Sequence, residues 1–539
     1  MRPSSETAIS HRAPLFLFLI PFASGLIASS SVSAGNWLDP GAGAVLLAGL
    51  LFGLLMVRSG GGGRGWAGYF LVAAFCLGAM YGGRFFGPPA DPVGRPILRE
   101  EILRINPVQM FAGPPRSFSH IGLAEVEGRE GLFYFRAPAG ASRGVIPRGF
   151  YSEVRGVVRS LEESSFDEGF LEYLRRRDAR GVIEAVVPPR TVGVADSGEA
   201  VFAILLERAK GALAAGAAEG DPVVPVYQAI VLGQRQGLEQ AQKAVFRETG
   251  TAHLFAISGL HVGLVGGFLL GVFRLLRMSE PVRVALSLAV LLFYVVLTGS
   301  APSAVRAFLM IAFLLGAKAF QRGYRPESAL AASALFVLLF DPEQIFSLGF
   351  QLSYTVVLSI LVFGVPAARE MIRITNPRYW LPGQTGSRFY RVRQWFFGSL
   401  AISVSAFLAS GPMMIAHFGI LPLSAIFLNL LLVPPATLVL VLGFLSLFAG
   451  LLGLPFVCEL FNAAARPILE AMVGMVSGAA DVPVASLSVV PSAAWMGPAA
   501  SVAFLGIAFW TGSRPRFRLR FLAPPTGLLA VLALLAGKS

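Results

Sequence analysis

Long apolar runs, rather than strict alternation, set the hydrophobic pattern of this chain. A helix crossing about 30 Å of hydrocarbon needs roughly 20 apolar residues, and shorter runs suffice where helices are broken or buried. About thirteen such runs are present, near 14–34, 42–57, 66–83, 252–276, 281–298, 303–319, 327–340, 345–364, 397–416, 420–449, 456–478, 493–511 and 521–537. The run at 420–449 is long enough to be two pieces divided at Pro434–Pro435.

Residues 85–200 break this pattern. "IGLAEVEG" from Ile121, "LFYFRA" from Leu132, "YSEVRGVVRSL" from Tyr151 and "GVIEAVVP" from Gly181 show alternation or β-branched runs bounded by Gly and Pro. About five short strands in such a length predict a small barrel, with the OB type as one candidate. Next come "VFAILLERAKGALAAG" and "VYQAIVLGQRQGLEQAQKAVFRETG", in which apolar residues recur at helical spacing among charges. They predict helices lying along the outer membrane surface or packed over a bundle. The expected fold class is an α-helical polytopic membrane protein of about 13 spans with a small external OB-like β-barrel domain. Its expected divisions are N-terminal transmembrane helices over 1–84, the β domain over 85–200, amphipathic interfacial helices over 201–250 and a second transmembrane domain over 251–539.

Composition strengthens this picture. Of 539 residues 55% are hydrophobic and only 14% charged, more apolar than a soluble core requires. The two cysteines, Cys76 and Cys458, lie far apart inside apolar runs, which argues against a disulfide framework or thiolate metal site and for packing roles.

The net charge of +13 changes meaning once it is placed along the chain. Arg58 and Arg64 follow the second run, Arg274, Arg277 and Arg283 the fourth, and Lys318, Arg322 and Arg325 the sixth. Six arginines between Arg369 and Arg393, and Arg514, Arg516, Arg518 and Arg520, fall on the same side. By the positive-inside rule that side is the cytoplasm. The positive excess is thus explained by topology and is no evidence for nucleic-acid binding. The N-terminus is expected inside a bacterial cytoplasmic membrane, with residues 85–245 and the C-terminus outside. The first run ends in "SVSA" at Ala34, which resembles a signal-peptide cleavage site, although a retained anchor is the expectation.

Candidate chemistry concentrates in "HLFAISGLHVGLVGGF", residues 253–268. His253 and His261 are eight residues apart and so out of phase on one helix, with no carboxylate nearby, which disfavours a metal site. A nucleophilic Ser258 with His261 as its base would make an intramembrane hydrolase, but the tetrad Ala256–Ile257–Ser258–Gly259 lacks the first glycine of the Gly-x-Ser-Gly turn. A third reading is a broken helix lining a polar path, with Gly250, Gly259, Gly263, Gly266 and Gly267 allowing close approach or unwinding. A fourth is that both histidines bond to neighbouring carbonyls and hold helices together.

"TGTAHLFAISGLHVGL" from Thr249 resembles the signature of the ComEC family of DNA-uptake membrane proteins. Upstream, "AIVLGQRQGL" and "SSFDEGFLEYLRRRDARGVI" resemble the family's approach to that signature and the end of its outer domain. Downstream, "LTGSAPSAVRAFLM" matches a Gly-x-x-x-Ser-x-x-Arg-Ala-x-x-Met pattern from Gly299 to Met310, and "DPEQIFSLGFQLSY" and "FGILPLSAIFLNLLLVPP" are similar to two further blocks. The resemblance implies an inner-membrane channel for single-stranded DNA entering the cytoplasm during natural transformation, with an OB-like outer domain and no catalytic role or cofactor. Fuller members carry a metallo-β-lactamase-like nuclease with a His-x-His-x-Asp-His motif. The five histidines of this chain contain no such pattern. The resemblance is therefore to a short form, and its implied partners are single-stranded DNA, the lipid bilayer, an outer DNA-delivery apparatus, a separate nuclease and a cytoplasmic ATP-driven motor or strand-binding protein. An exporter of another polymer or metabolite on the same scaffold is the alternative, beside the hydrolase.

On this reading His253, Ser258, Gly259, His261, Arg306, Gln351 and Ser353 are expected to line the path, while Asn429 is expected to bond across helices. Arg306 has two open readings, contact with phosphate oxygens or snorkelling to the surface. In the outer domain Phe133, Tyr134, Phe135 and Arg136 form the candidate stripe for base stacking. The terminal "AGKS" lacks the first glycine of a phosphate-binding loop, so no ATPase is expected in this polypeptide.

Overall fold

A computed structural model describes residues 14–33, 73–82, 97–111, 118–129, 131–138, 150–161, 179–186, 190–194, 197–319 save 236 and 256, 325–374, 388–482 and 487–488, with a few isolated positions. The apolar runs at 42–57 and 521–537, and nearly all of 493–511, lie outside the described residues. The chain divides into two compact units, one of residues 87–214 with 450–453 and the other of the rest.

The first unit is built on β1 (Ile97–Phe111), β2 (Phe118–Val126), β3 (Leu132–Pro138), β4 (Phe150–Arg159), β5 (Ala179–Ala185) and β6 (Arg190–Val194). Hydrogen-bonded neighbours run β1-β2-β3-β5-β4, and β4 pairs back onto β1, closing a five-stranded barrel. All pairings are antiparallel except β3 with β5, and β6 extends the edge of β4 beside β5. Alternate residues point inward: Ile105, Ala124, Phe133, Phe135, Val154 and Ile183 fill the interior and are essentially inaccessible. Gly156 is required where β4 meets β5, because a Cβ there would stand 2.5 Å from the Glu184 carbonyl oxygen. The opposite face of β2, β3 and β5 is also covered. Leu123, Tyr134 and Val182 pack beneath Leu161, Phe166, Phe170 and Leu174. α1 (Ser197–Ala214) belongs to this unit, so the expected boundary at 200 falls inside a helix and the proposed 201–250 layer is split.

The second unit is helical. Along the chain its helices are α2 (Pro14–Ser33), α3 (Ala73–Gly82), α4 (Val223–Leu232), α5 (Gln240–Glu248), α6 (Gly259–Leu275), α7 (Glu280–Leu297), α8 (Pro302–Ala319), α9 (Pro326–Phe340), α10 (Leu348–Ser359), α11 (Val365–Ile374), α12 (Arg388–Phe418), α13 (Ala425–Leu451) and α14 (Pro455–Ala480). Five segments are long and apolar enough to cross a membrane: Glu280–Leu297, Pro302–Ala319, Leu348–Arg373, Arg391–Phe418 and Ala425–Leu451. The segment Leu348–Arg373 joins α10 to α11 through a π-turn at Ile360–Gly364, where Ser359 and Ser405 share a 2.8 Å hydrogen bond.

Three expectations change. Pro434 and Pro435 do not divide the run at 420–449, since α13 passes through both as one helix. α4 is not an interfacial helix: Val226, Tyr227 and Ala229 to Leu232 are all buried, and Tyr294 on α7 donates a 2.6 Å hydrogen bond to the Val231 carbonyl. A helix apolar all round belongs inside a bundle. The run at 456–478 forms α14, which carries Glu459, Arg466 and Glu470 and is not among the five long apolar segments. It buries one stripe, Cys458, Asn462, Ala465, Leu469, Met472 and Val476, and fastens to the chain before α4 through Asn462 Nδ2 to the Ala215 carbonyl at 3.0 Å and Arg466 to Asp221 at 2.5 Å. Close backbone approach also joins α2 to α3, where a Cβ on Gly25 would strike the main chain at Phe75 and one on Gly78 that at Phe22.

Candidate functional site

Helix starts, not helix middles, gather the polar residues of the segment from Thr249. After α5 the chain makes a tight turn at Thr249–Gly250–Thr251, with both threonines fully buried and their hydroxyls 2.9 Å apart. Gly250 has φ +71°, and a Cβ there would press on Pro422 at 2.8 Å. A short 3-10 turn, Ala252–Phe255, follows, and the Phe255 ring stacks on Phe246 at 3.7 Å. His253 sits on this turn with its ring exposed, and its Nδ1 lies 3.0 Å from the Gly250 carbonyl, to which it donates.

Ser258 then caps α6. Its hydroxyl accepts from the His261 amide, and the Ser258 amide donates to His261 Nδ1 at 3.1 Å. This is a capping box with histidine in the place usually held by Glu or Gln. The Ser258 hydroxyl lies 3.3 Å from His261 Nδ1, which alone would resemble a nucleophile and its base. The Ser258 amide also donates to Nδ1, so the same contact belongs to the helix cap. His261 is buried and Gly259 lies against Ala307 of α8, whose Cβ would be 3.6 Å from a Cβ on that glycine.

Two further helices begin beside this cap. α8 follows a turn in which Gly299 and Ser300 both take positive φ, +86° and +51°. Ser303 in its first turn donates to the Ile257 carbonyl at 2.7 Å, tying α8 to the residue before the Ser258 cap. α10 follows a 3-10 turn at Pro342–Phe346 and is capped by Ser347, whose hydroxyl accepts from the Phe350 amide at 3.2 Å. Arg306 bridges these starts: its Nη2 donates to the Gly349 carbonyl at 2.8 Å.

The Arg306 side chain is 3% exposed, so it does not snorkel, and that expectation is corrected. Its Nε is buried without a hydrogen-bond partner, and no carboxylate pairs with it among the described residues. The sequence places Arg306 one turn inside a helix, but its acceptor lies 43 residues away and no local signal identifies it. Gln351 is half-buried and donates from Nε2 to the Ile345 carbonyl at 2.9 Å, closing the 3-10 turn onto α10, while Ser353 is half-buried on the same helix. The buried Oδ1 of Asn429, expected to bond across helices, has no hydrogen-bond partner among the described residues.

The outer-domain stripe does not offer rings to a ligand. Phe133 and Phe135 lie in the barrel interior, and Tyr134 is enclosed on the other face by edge-on contacts with Phe166 and Phe170, each at 5.3 Å. Burial pushes the Tyr134 phenol above its ordinary pKa, with Arg136 opposing in part, so the hydroxyl remains protonated at neutral pH. Arg136 is ion-paired to Glu184 and lies 5.8 Å from the Phe166 ring centre. The alternation of β3 was legible, but the cover over its second face comes from distant chain. A polar pocket of about 370 Å³ opens elsewhere on the barrel, lined in part by Asn106, Glu125, Glu127, Arg129 and Tyr151.

Residues 230–515, more than half of the chain and including α5 to α14 whole, match the family described as Competence protein. The chain belongs to the competence protein family. It is 31% identical over 212 residues to ComE operon protein 3 of Bacillus subtilis (strain 168), covering 39% of this chain and 24% of that relative. Recombination protein 2 of Haemophilus influenzae is 28% identical over 267 residues, 48% of this chain and 32% of the relative. Competence protein ComA of Neisseria gonorrhoeae is 33% identical over 147 residues, 26% of this chain and 21% of the relative. The matches thus span a third or less of each relative's length. No solved structure matches the chain.

Proposed function

We propose that this competence-family chain forms a membrane path by which single-stranded DNA enters the cytoplasm during natural transformation, without catalysing a reaction itself. The observation that carries the reading is the meeting of three helix starts inside an apolar bundle, those of α6, α8 and α10, with the buried Arg306 between them. Irregular backbone at membrane depth is sustained only against protein or a wet path, and helix starts present amide dipoles suited to anions. Arginine and the partial positive charges of helix ends suit a polymer with one phosphate per nucleotide better than they suit an apolar cargo. The membership of the family supports the same reading, as do relatives named for competence and recombination.

The barrel fits the outer domain of this path. Its strand order β1-β2-β3-β5-β4 with β4 closing on β1 is that of an OB barrel. Its β2–β3 face, the usual strand-binding face of such barrels, is covered here by Phe166, Phe170 and Leu174, so DNA contact there would need another surface. In this reading the bundle lies in the cytoplasmic membrane with the barrel outside, and a delivery apparatus, a strand-removing nuclease and a cytoplasmic motor are separate partners or domains.

The test is uptake of a marked linear DNA into the cytoplasm of the native host, with wild type, a clean deletion and the deletion complemented by His261→Ala at normal expression. Loss of uptake in the deletion and its failure to return with His261→Ala support the path. Undiminished uptake in the deletion overturns it.

A further inference from the structure

We infer that the first turns of α6, α8 and α10 form, around Arg306, a binding site for a phosphodiester group. The inference rests on the path reading only for its preferred source, the backbone of a DNA strand; a phospholipid headgroup offers the same chemistry.

The argument begins with charge. Arg306 is almost wholly buried and, among the described residues, its one hydrogen bond goes to a neutral carbonyl. A buried guanidinium ordinarily meets a carboxylate, because an unpaired charge away from water is costly. The other partly buried arginine ion pairs of this chain follow that rule, as Arg136 does with Glu184 and Arg466 with Asp221.

The surroundings add positive potential instead of removing it. Each helix start carries roughly half a positive charge, and three of them are bound to one another here. Ser303 ties α8 to Ile257 at the α6 cap, and Arg306 itself ties α8 to Gly349 in the first turn of α10. Tyr354, one turn further along α10, adds a buried hydroxyl. A fork of N–H groups, a phenol and helix-start dipoles match the oxygens of a phosphate, and among the described residues no carboxylate is ion-paired to Arg306.

Gly349 explains how the site is closed in this structure. Its carbonyl takes one guanidinium N–H, and a Cβ there would stand 3.4 Å from Nη2, so the arginine rests against bare backbone. A phosphate oxygen would replace this carbonyl when the starts of α8 and α10 separate. One such site, occupied by one phosphate at a time, grips a strand weakly enough to release it.

The experiment uses the full chain in lipid nanodiscs and a fluorescent single-stranded oligothymidylate, with its fully methylphosphonate counterpart as the uncharged probe. Wild type, Arg306→Gln and Arg306→Lys are compared by anisotropy over a salt series, each checked for monodispersity. The expected result is about tenfold weaker binding of the phosphodiester probe by Arg306→Gln, a log–log salt slope shallower by about 0.7 as for loss of one single-strand phosphate contact, and partial rescue by lysine. The methylphosphonate probe should not distinguish the proteins.

A second measurement reads the site by labelling. Wild type is photolabelled with oligonucleotide, and separately with phosphatidylglycerol, each carrying the reactive group on its phosphate. Labelling within 299–310 and 347–354 supports the site. Oligonucleotide binding with unchanged affinity and slope in Arg306→Gln, and labels confined elsewhere, overturns the site and leaves the path reading standing. Labelling of these turns by the lipid alone, lost in Arg306→Gln, keeps the phosphate site and removes the strand path. No labelling of these turns by either probe overturns the inference.

Discussion

Arg136 in the barrel and Arg306 in the helical bundle are both withdrawn from water, yet they are treated in opposite ways. Arg136 shares Glu184 with Arg159, the second pair at 3.1 Å, and lies beside the Phe166 ring. Arg306 is more deeply buried and has a single carbonyl as acceptor. The barrel closes its charges among its own residues and encloses the aromatic rings of β3 on both faces. In the bundle Arg306, buried at the meeting of three helix starts, has no carboxylate partner among the described residues. The first region pairs its charges within the domain, whereas in the second, among the described residues, the buried arginine has a carbonyl and no carboxylate.

The contrast is broken most severely by emptying the barrel. Phe135→Ala removes a ring with no solvent exposure, and the expected loss is about 3–5 kcal/mol from transfer and cavity terms together. Thermal melting of the full chain, followed by proteolysis between 97 and 194, measures it. A loss under about 1 kcal/mol would mean that β3 is not packed on its inner face.

Arg306→Met should act in the opposite direction. Replacing a buried charge that lacks a carboxylate by an apolar side chain of similar length is expected to raise stability by about 1–4 kcal/mol, while uptake falls at least tenfold. The two readouts are melting temperature and transformation by marked DNA. Parallel loss of both would show Arg306 to be a structural strut and erase its difference from Arg136.

These two sites also separate what was legible in the sequence. Strand alternation and bounding glycines marked the barrel, and an arginine inside an apolar run marked Arg306. Long-range partners were not legible. The cover over Tyr134 comes from Phe166 and Phe170, some thirty residues along the chain, so a stripe that alternation would leave half outward is enclosed. The acceptor of Arg306 is on another helix. Pro434–Pro435 misled for a local reason: prolines are tolerated within a membrane-type helix when neighbours absorb the lost bond, and α13 continues through them.

Within the barrel, Glu184→Gln sharpens the comparison at smaller amplitude. It removes the charge shared by Arg136 and Arg159, groups about a quarter to a half exposed, so the expected loss is only about 1–2 kcal/mol. Urea unfolding at low and high salt checks this, with the difference from wild type shrinking as salt rises. A loss equal at both salts would assign the effect to packing rather than to charge.

The smallest expected effect decides what kind of site the bundle holds. Ser258 stands 3.3 Å from His261 Nδ1, and the same atoms can be read as a reactive pair or as a helix cap. The cap accounts for more of the geometry, since the Ser258 amide donates to that nitrogen at 3.1 Å and the hydroxyl accepts from the His261 amide. Removing a cap costs about 1 kcal/mol, and asparagine restores it. Ser258→Ala should therefore lower stability by about that amount and reduce uptake modestly, while Ser258→Asn should recover both. A nucleophile behaves differently: alanine and asparagine would be equally inactive, because neither carries a hydroxyl. Uptake measured for the two variants at matched protein levels separates the outcomes. Recovery with asparagine would leave Arg306 as the bundle's one chemically exceptional side chain among these residues, and equal failure would move the chemistry of the site to Ser258.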